Sequence, residues 1–284
     1  MPPTTNGITI EADNVSLDLN GHALLGNGFG SGHGIYQDTN RFHHAKVRNG
    51  IVAGWIGPDR SGIHLSGSNN HIELIRAYSN NLAILTGPNS LIMNCTVFSN
   101  QASNVGGGIF AASGSSVTKC SVFANAGFGS IAFGIFGGDG VTISQCTAFS
   151  NAFFSTSSIG ISGSSGAVIR DCTVSGNVAQ NNWNGIFALD GSTITGCSAH
   201  GNRTDGGTSS AISIGGGSRV EGNDTGIFLQ NTHNLVIANR ASSNITTNYN
   251  IALGNAYGPI VNVRGSNDVA AVTGAEHPLA NLEY

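Results

Sequence analysis

The chain has 284 residues, enough to bury a large core, but only 9% are charged and 42 are Gly, a balance that excludes helix bundles and ordinary α/β domains. A net charge of −4 without runs of Lys or Arg excludes a nucleic-acid footprint, because phosphate binding needs clustered positive charge. No stretch approaches the ~18 apolar residues needed to span a bilayer. Gly, Asn, Ser and Thr recur beside Ile and Val, so the chain reads as all-β, built from short strands between turns.

At the start, Met1-Pro2-Pro3-Thr4-Thr5 has neither the basic head nor the apolar core of a signal peptide. A strand pattern begins at once with Ile8-Thr9-Ile10, and the natural chain is expected to begin further upstream. Charge then gathers early, in Arg41, His43, His44, Lys46, Arg48, Asp59, Arg60, His64, His71, Glu73 and Arg76. Solvation of turns and outer faces is the commoner role of such residues. The sharper reading is a groove for an anion or acidic glycan, and any reactive site has His43, His44, Arg60 and His64 as its candidates.

The middle of the chain is a repeat. Cys95, Cys120, Cys146, Cys172 and Cys197 lie 25, 26, 26 and 25 residues apart in similar phrases, from Asn-Cys-Thr-Val to Gly-Cys-Ser-Ala. An apolar residue stands three before each Cys, and Asn100, Asn125, Asn151, Asn177 and Asn202 stand five after. Upstream come Gly/Ala-Ile phrases at Ile109, Ile135, Ile161, Ile186 and Ile212, so each repeat carries at least two short strands. Ile75 and Gly50 continue the cysteine phase backwards, and Asn223 and Asn239 continue it forwards across one shortened repeat.

A period near 25 residues with no helical pattern predicts a single-stranded right-handed parallel β-helix of about ten rungs, in which equivalent residues stack ~4.8 Å apart. The cysteines then form an inward structural ladder of free thiols: metal sites gather ligands in close pairs such as Cys-x-x-Cys whereas these are spread along an axis, and stacked parallel side chains hold their Cβ atoms too far apart for disulfides. The Asn side chains form a second ladder at the bends. Tyr78, Phe98, Phe123 and Phe149 share one phase, and Phe110, Phe136 and Phe187 follow the repeated Ile; both sets are candidate binding columns. Strict alternation turns them outward as a platform, but a bend tucks the first column inside a corner, and the corner is preferred. Thr96, Ser121, Thr147, Thr173 and Ser198 read as ordinary outward β-residues; a second Thr column, which an ice-binding face needs, is missing.

After Gly265 the repeat stops, while Val269, Ala270, Ala271, Val272, Leu279, Leu282 and Tyr284 still supply apolar surface. Residues 1–265 are therefore the β-helix and 266–284 a tail expected to cap the open end or dock on a second copy.

Val15-Ser16-Leu17-Asp18-Leu19-Asn20-Gly21, Val47-Arg48-Asn49-Gly50, the Cys-Thr-Val repeats and the ending His277-Pro278-Leu279-Ala280-Asn281-Leu282-Glu283-Tyr284 resemble bacterial right-handed parallel β-helix repeat proteins. That group shares its architecture with pectate lyases, and the resemblance covers essentially the whole chain. It implies the fold, and a scaffold that elsewhere hosts lyases, hydrolases, epimerases, tailspikes and non-catalytic surface proteins. The resemblance implies a further strand-rich segment before the repeats, which the chain as given is expected to lack. The carboxylate clusters and the Asn-x-Asp, Asp-Asp, Gly-His-Gly and Arg-x-Lys phrases of the polysaccharide enzymes do not occur together.

The favoured function is a thermostable, non-catalytic scaffold, secreted or in the cell envelope, that needs no cofactor and binds a polysaccharide or a protein partner. A homo-oligomer through the solenoid ends or aromatic face is the other partnership. A lyase, hydrolase or epimerase acting on an acidic glycan is the alternative, with a trimeric tailspike-like fibre behind it.

Overall fold

A computed structural model describes residues 5–28, 30, 32–38, 41–128, 131–153, 157–179, 183–204, 209–212, 219–221, 225–229, 235–237, 239–242, 247–251, 253–263 and 272–283. These residues form strands and turns without a helix, coiled into a parallel β-solenoid, and so no helix among them is long and apolar enough to cross a membrane. An 11-stranded sheet A, an 18-stranded sheet B and a 5-stranded sheet C run along the coil. About eight turns keep the ~25-residue spacing, rather than the ten expected from the repeat. The last crossings are shorter, since Ile212 pairs with Ile227 and Thr225 with Thr247.

Sheet A is built on one inward column: Ile8, Ile35, Ile63, Ile84, Ile109, Ile135, Ile161, Ile186, Ile212 and Ile227 stack in register, with Tyr249 at the end. From Ile35 to Ile227 each is fully buried, which stabilises by roughly 1.5–3 kcal/mol per side chain. A β-branched residue suits this position because its stiff χ1 repeats identically in every rung.

Sheet B carries two strands per rung, separated by a bend. Asn94, Lys119, Gln145, Asp171 and Gly196 adopt φ of 53 to 62°, each just before a Cys. Ser99, Ala124, Ser150, Gly176 and Gly201 adopt φ of 52 to 60°, each just before a ladder Asn. A left-handed residue breaks the strict alternation of side chains, so Cys and Asn both turn inward on either side of a short strand. All five thiols are free and buried. Cys146 Sγ, as an example, donates to Ser144 O at 3.3 Å and to Val117 O of the preceding rung at 3.6 Å. Contact with the neighbouring thiol, then burial, raises the pKa of Cys120, Cys172 and Cys197.

The Asn ladder is continuous through the middle. Nδ2 of Asn80, Asn100, Asn125, Asn151 and Asn177 each donates to Oδ1 of the next Asn, at 3.1, 2.8, 2.9, 2.8 and 3.0 Å. The same Oδ1 also accepts the backbone N–H of the preceding ladder residue, so two donors of a buried corner are satisfied by one amide.

Two ends depart from the repeat. Near the start the Trp55 indole, 7% exposed, lies in the core; a Cβ at Gly7 would stand 2.9 Å from its ring and one at Gly34 2.8 Å from its nitrogen. Only glycine admits the indole there. At the other end, strand Asn281–Glu283 lies between Arg240–Ser242 and Ile260–Asn262 and pairs parallel with both. Leu282 N donates to Asn239 O at 2.8 Å, Asn281 N to Pro259 O at 2.7 Å, and Tyr249 Oη to Leu282 O at 2.9 Å.

Register also corrects the shortened repeat. Ser198, which follows Cys197, pairs with Arg219, and Arg219 pairs with Arg240. The cysteine phase therefore falls just before Arg219 and again at Asn239, not at Asn223, which lies outside the described residues. Asn serves in both the cysteine phase and the bend phase here, so the residue type alone misassigned the position. Asn239 Nδ2 donates to Asn281 Oδ1 at 3.2 Å, repeating the amide ladder in the cysteine phase.

Candidate functional site

The first ring column stands outside the coil, not in a corner. Val97, Val122 and Ala148 are fully buried, so Phe98, Phe123 and Phe149 beside them face outward and are half-buried. Tyr78, Phe98, Phe123 and Phe149 stack at centroid separations of 5.0, 5.3 and 4.8 Å, with planes 22, 7 and 11° apart. Near-parallel rings at that distance spend their faces on one another and leave edges to solvent. The column is an apolar ridge, with the Arg76 guanidinium 5.7 Å from the Phe98 centroid. The outward Thr/Ser column runs beside it, Thr147 Oγ1 donating to Ser121 Oγ at 3.1 Å.

The second column is on sheet A, and register extends it towards the N terminus. Tyr36, His64, Leu85, Phe110, Phe136, Ser162 and Phe187 occupy successive outward positions. Phe110 and Phe136 stack at 5.1 Å, but Ser162 separates Phe187 from them, so the three phenylalanines are not one contiguous column. A cavity of about 200 Å³ opens beside His64, lined by Leu85, Phe110 and Phe133 and by the polar Asp59, Ser61 and Asn81.

The early charges divide between two faces. On sheet B, Lys46 pairs with Glu73 at 2.8 Å, His71 with Glu73 at 3.2 Å, and Arg48 with Asp18 at 3.0 Å. There the charge is spent on pairing. His44 is exposed in a left-handed bend, and His43 Nδ1 accepts the Ser68 N–H at 3.1 Å. This pair sits at the turn entering sheet B, while Arg60 and His64 belong to sheet A, so the four reactive-site candidates do not converge.

Arg60 and His64 instead meet two residues that charge clustering did not nominate. His33, 4% exposed, stacks on Tyr36 at 5.2 Å and meets His64 edge-on at 4.4 Å. Arg60 Nη1 lies 3.2 Å from His33 Nε2. Burial first, then the neighbouring His64 and Arg60, lowers the His33 pKa to about 3; burial and Arg60 lower that of His64 to about 4. The signal for Tyr36 was present in the sequence: Gly34-Ile35-Tyr36 and Gly62-Ile63-His64 are two more Gly-Ile phrases in the phase of Gly108-Ile109-Phe110.

Comparison with family models, with curated proteins and with solved structures returned no match for this chain.

Proposed function

We propose that this chain is a non-catalytic scaffold of the right-handed β-helix kind, working outside the cell or in its envelope, and that it binds a glycan along the outer face of sheet A. The cavity beside His64 carries this reading. Leu85, Phe110 and Phe133 offer an apolar wall for the carbon face of a sugar ring, and Asp59, Ser61 and Asn81 offer groups for its hydroxyls, the combination on which small-ligand recognition depends. The sheet B ridge, whose ring faces are taken up by one another, serves the coil's stability in this account.

A panel of acidic and neutral oligosaccharides, assayed for binding and for reducing ends and unsaturated products, tests the proposal. Binding without cleavage, weakened roughly tenfold by Phe110→Ala and unchanged by Phe123→Ala, is the expected result. Specific cleavage abolished by His64→Ala or Arg60→Ala would make the chain a polysaccharide-active enzyme instead.

A further inference from the structure

We infer that the N-terminal end of this groove is an anion site, in which Arg60 and His33 receive the carboxylate or sulfate of an acidic sugar whose ring lies over His64 and Leu85. The sugar ring rests on the reading above; the anion does not.

One contact in this cluster does not close. Ser61 N–H donates to His33 Nδ1 at 3.0 Å, so that nitrogen presents its lone pair and the neutral ring carries its hydrogen on Nε2. Arg60 Nη1, always a donor, stands 3.2 Å from that same Nε2. Two N–H groups face one another with no lone pair between them. Arg60 Nε is buried without a hydrogen-bond partner as well, and so is His64 Nδ1.

No carboxylate answers the guanidinium. The adjacent Asp59 accepts from Asn104 Nδ2 at 3.2 Å, and the ion pairs among the described residues leave Arg60 out. Of the residues before Ser61 that fall outside the description, none is Asp or Glu. With His33 and His64 neutral at pH 7, the guanidinium is the charge of the cluster. A partly buried cation with unpaired donors is costly for a fold to keep and requires an acceptor. An oxyanion placed between Arg60 Nη1 and His33 Nε2–H supplies lone pairs to both and turns the donor–donor contact into two charge-assisted or polar hydrogen bonds. Tyr36, His64 and Leu85 follow one another at the ~4.8 Å rung spacing, so a sugar ring joined to that oxyanion reaches the apolar wall one rung on.

The test uses sodium galacturonate, sodium sulfate and galactose as probes, with binding read by calorimetry and by the nitrogen-correlated NMR signals of the Ser61 amide and the Arg60 Nε–H. At least one of the two anions should shift both signals and raise the melting temperature of the wild type. Galacturonate alone assigns a carboxylate, and sulfate together with galactose but not galacturonate assigns a sulfate ester. Arg60→Gln should weaken that binding roughly tenfold or more, while its ligand-free melting temperature is no lower than that of the wild type, because an unpaired buried charge has been removed. Absence of both shifts, anion binding retained in Arg60→Gln, or a clear drop in the ligand-free melting temperature of that variant would overturn the site. Galactose bound equally by wild type and Arg60→Gln, with no anion effect, would sink the anion site and leave the glycan reading standing; sulfate bound with no sugar bound would do the reverse.

Discussion

From Cys95 to Asn202 the coil repeats one solution, whereas the rungs between Gln37 and Thr86 each solve the interior differently. In the middle, every buried Asn is bonded above and below, and every Cys donates to two carbonyls. In the earlier rungs lie the described buried side-chain polar atoms that lack a partner: both amide atoms of Gln37, and atoms of Trp55, Arg60, His64 and Thr86. The middle is the part of the molecule optimised for stability. The early rungs keep groups that weaken a fold, and they adjoin the groove to which a function is assigned, as expected where binding and stability compete.

The largest test of that contrast is to break the ladder where it is most regular. Asn125→Ala removes the acceptor used by the Asn100 amide and backbone, and two donors' worth of bonding to Asn151 Oδ1 and Val97 O. The expected loss is about 3 kcal/mol or more in denaturant unfolding, since buried partners are left unsatisfied on both sides. Gln37→Leu, which removes an amide that has no partner, should cost far less or stabilise.

Acid should strike the early rungs first. The folded-state pKa values of about 3 for His33 and about 4 for His64 lie below the ordinary 6.5. Above pH 6.5 both folded and unfolded chains hold these rings neutral, and stability does not depend on them. As pH falls below 6.5 the unfolded chain takes up protons that the folded chain refuses, so stability declines. Each ring contributes at most about 1.4 kcal/mol per pH unit, less for His64, which touches solvent; a loss of about 2–3 kcal/mol by pH 5 is expected. His71, also lowered by burial, acts in the same direction. The carboxylates of Asp18 and Glu73 are lowered and stay out of this window, their contribution being lost only near and below pH 4. Unfolding curves of wild type and of a His33→Phe, His64→Phe double variant at pH 7 and pH 5 provide the check, the variant showing the shallower dependence.

The smallest effect lies at a bend of the middle rungs. Ala124 holds φ 52° where the next two rungs but one carry Gly176 and Gly201. Ala124→Gly should relieve left-handed strain and offset the entropy that glycine costs in the unfolded chain, a net gain of under ~1 kcal/mol in the same unfolding assay.

How legible this molecule is follows from what a ladder demands. Cys120, Asn125 and Ile135 could be placed because stacking requires the same residue type at the same phase in every rung, and spacing alone reports that. Asn239 and the phase of Asn223 show the limit, since one residue type fills two phases. Trp55 has no counterpart elsewhere in the repeat, so nothing in the sequence announced an indole in the core; the apolar tail residues suggested a cap, but only the register shows the strand Asn281–Glu283 paired on both edges. At the site, charge nominated Arg60 and His64 but equally His43 and His44, because clustering in sequence does not say which face of the coil a residue occupies. His33 escaped for the opposite reason: a single His among glycines carries no periodic signal, and its contact with Arg60 is made across two rungs.

Native-state hydrogen exchange, resolved rung by rung, tests the central contrast most directly. The amides of Asn100, Asn125 and Asn151 should exchange only through global unfolding, while those of Ile35, Ser61 and His64 exchange through a smaller opening that an added anionic sugar slows. Equal protection along the coil, or stronger protection in the early rungs than in the Asn-laddered middle, would contradict it.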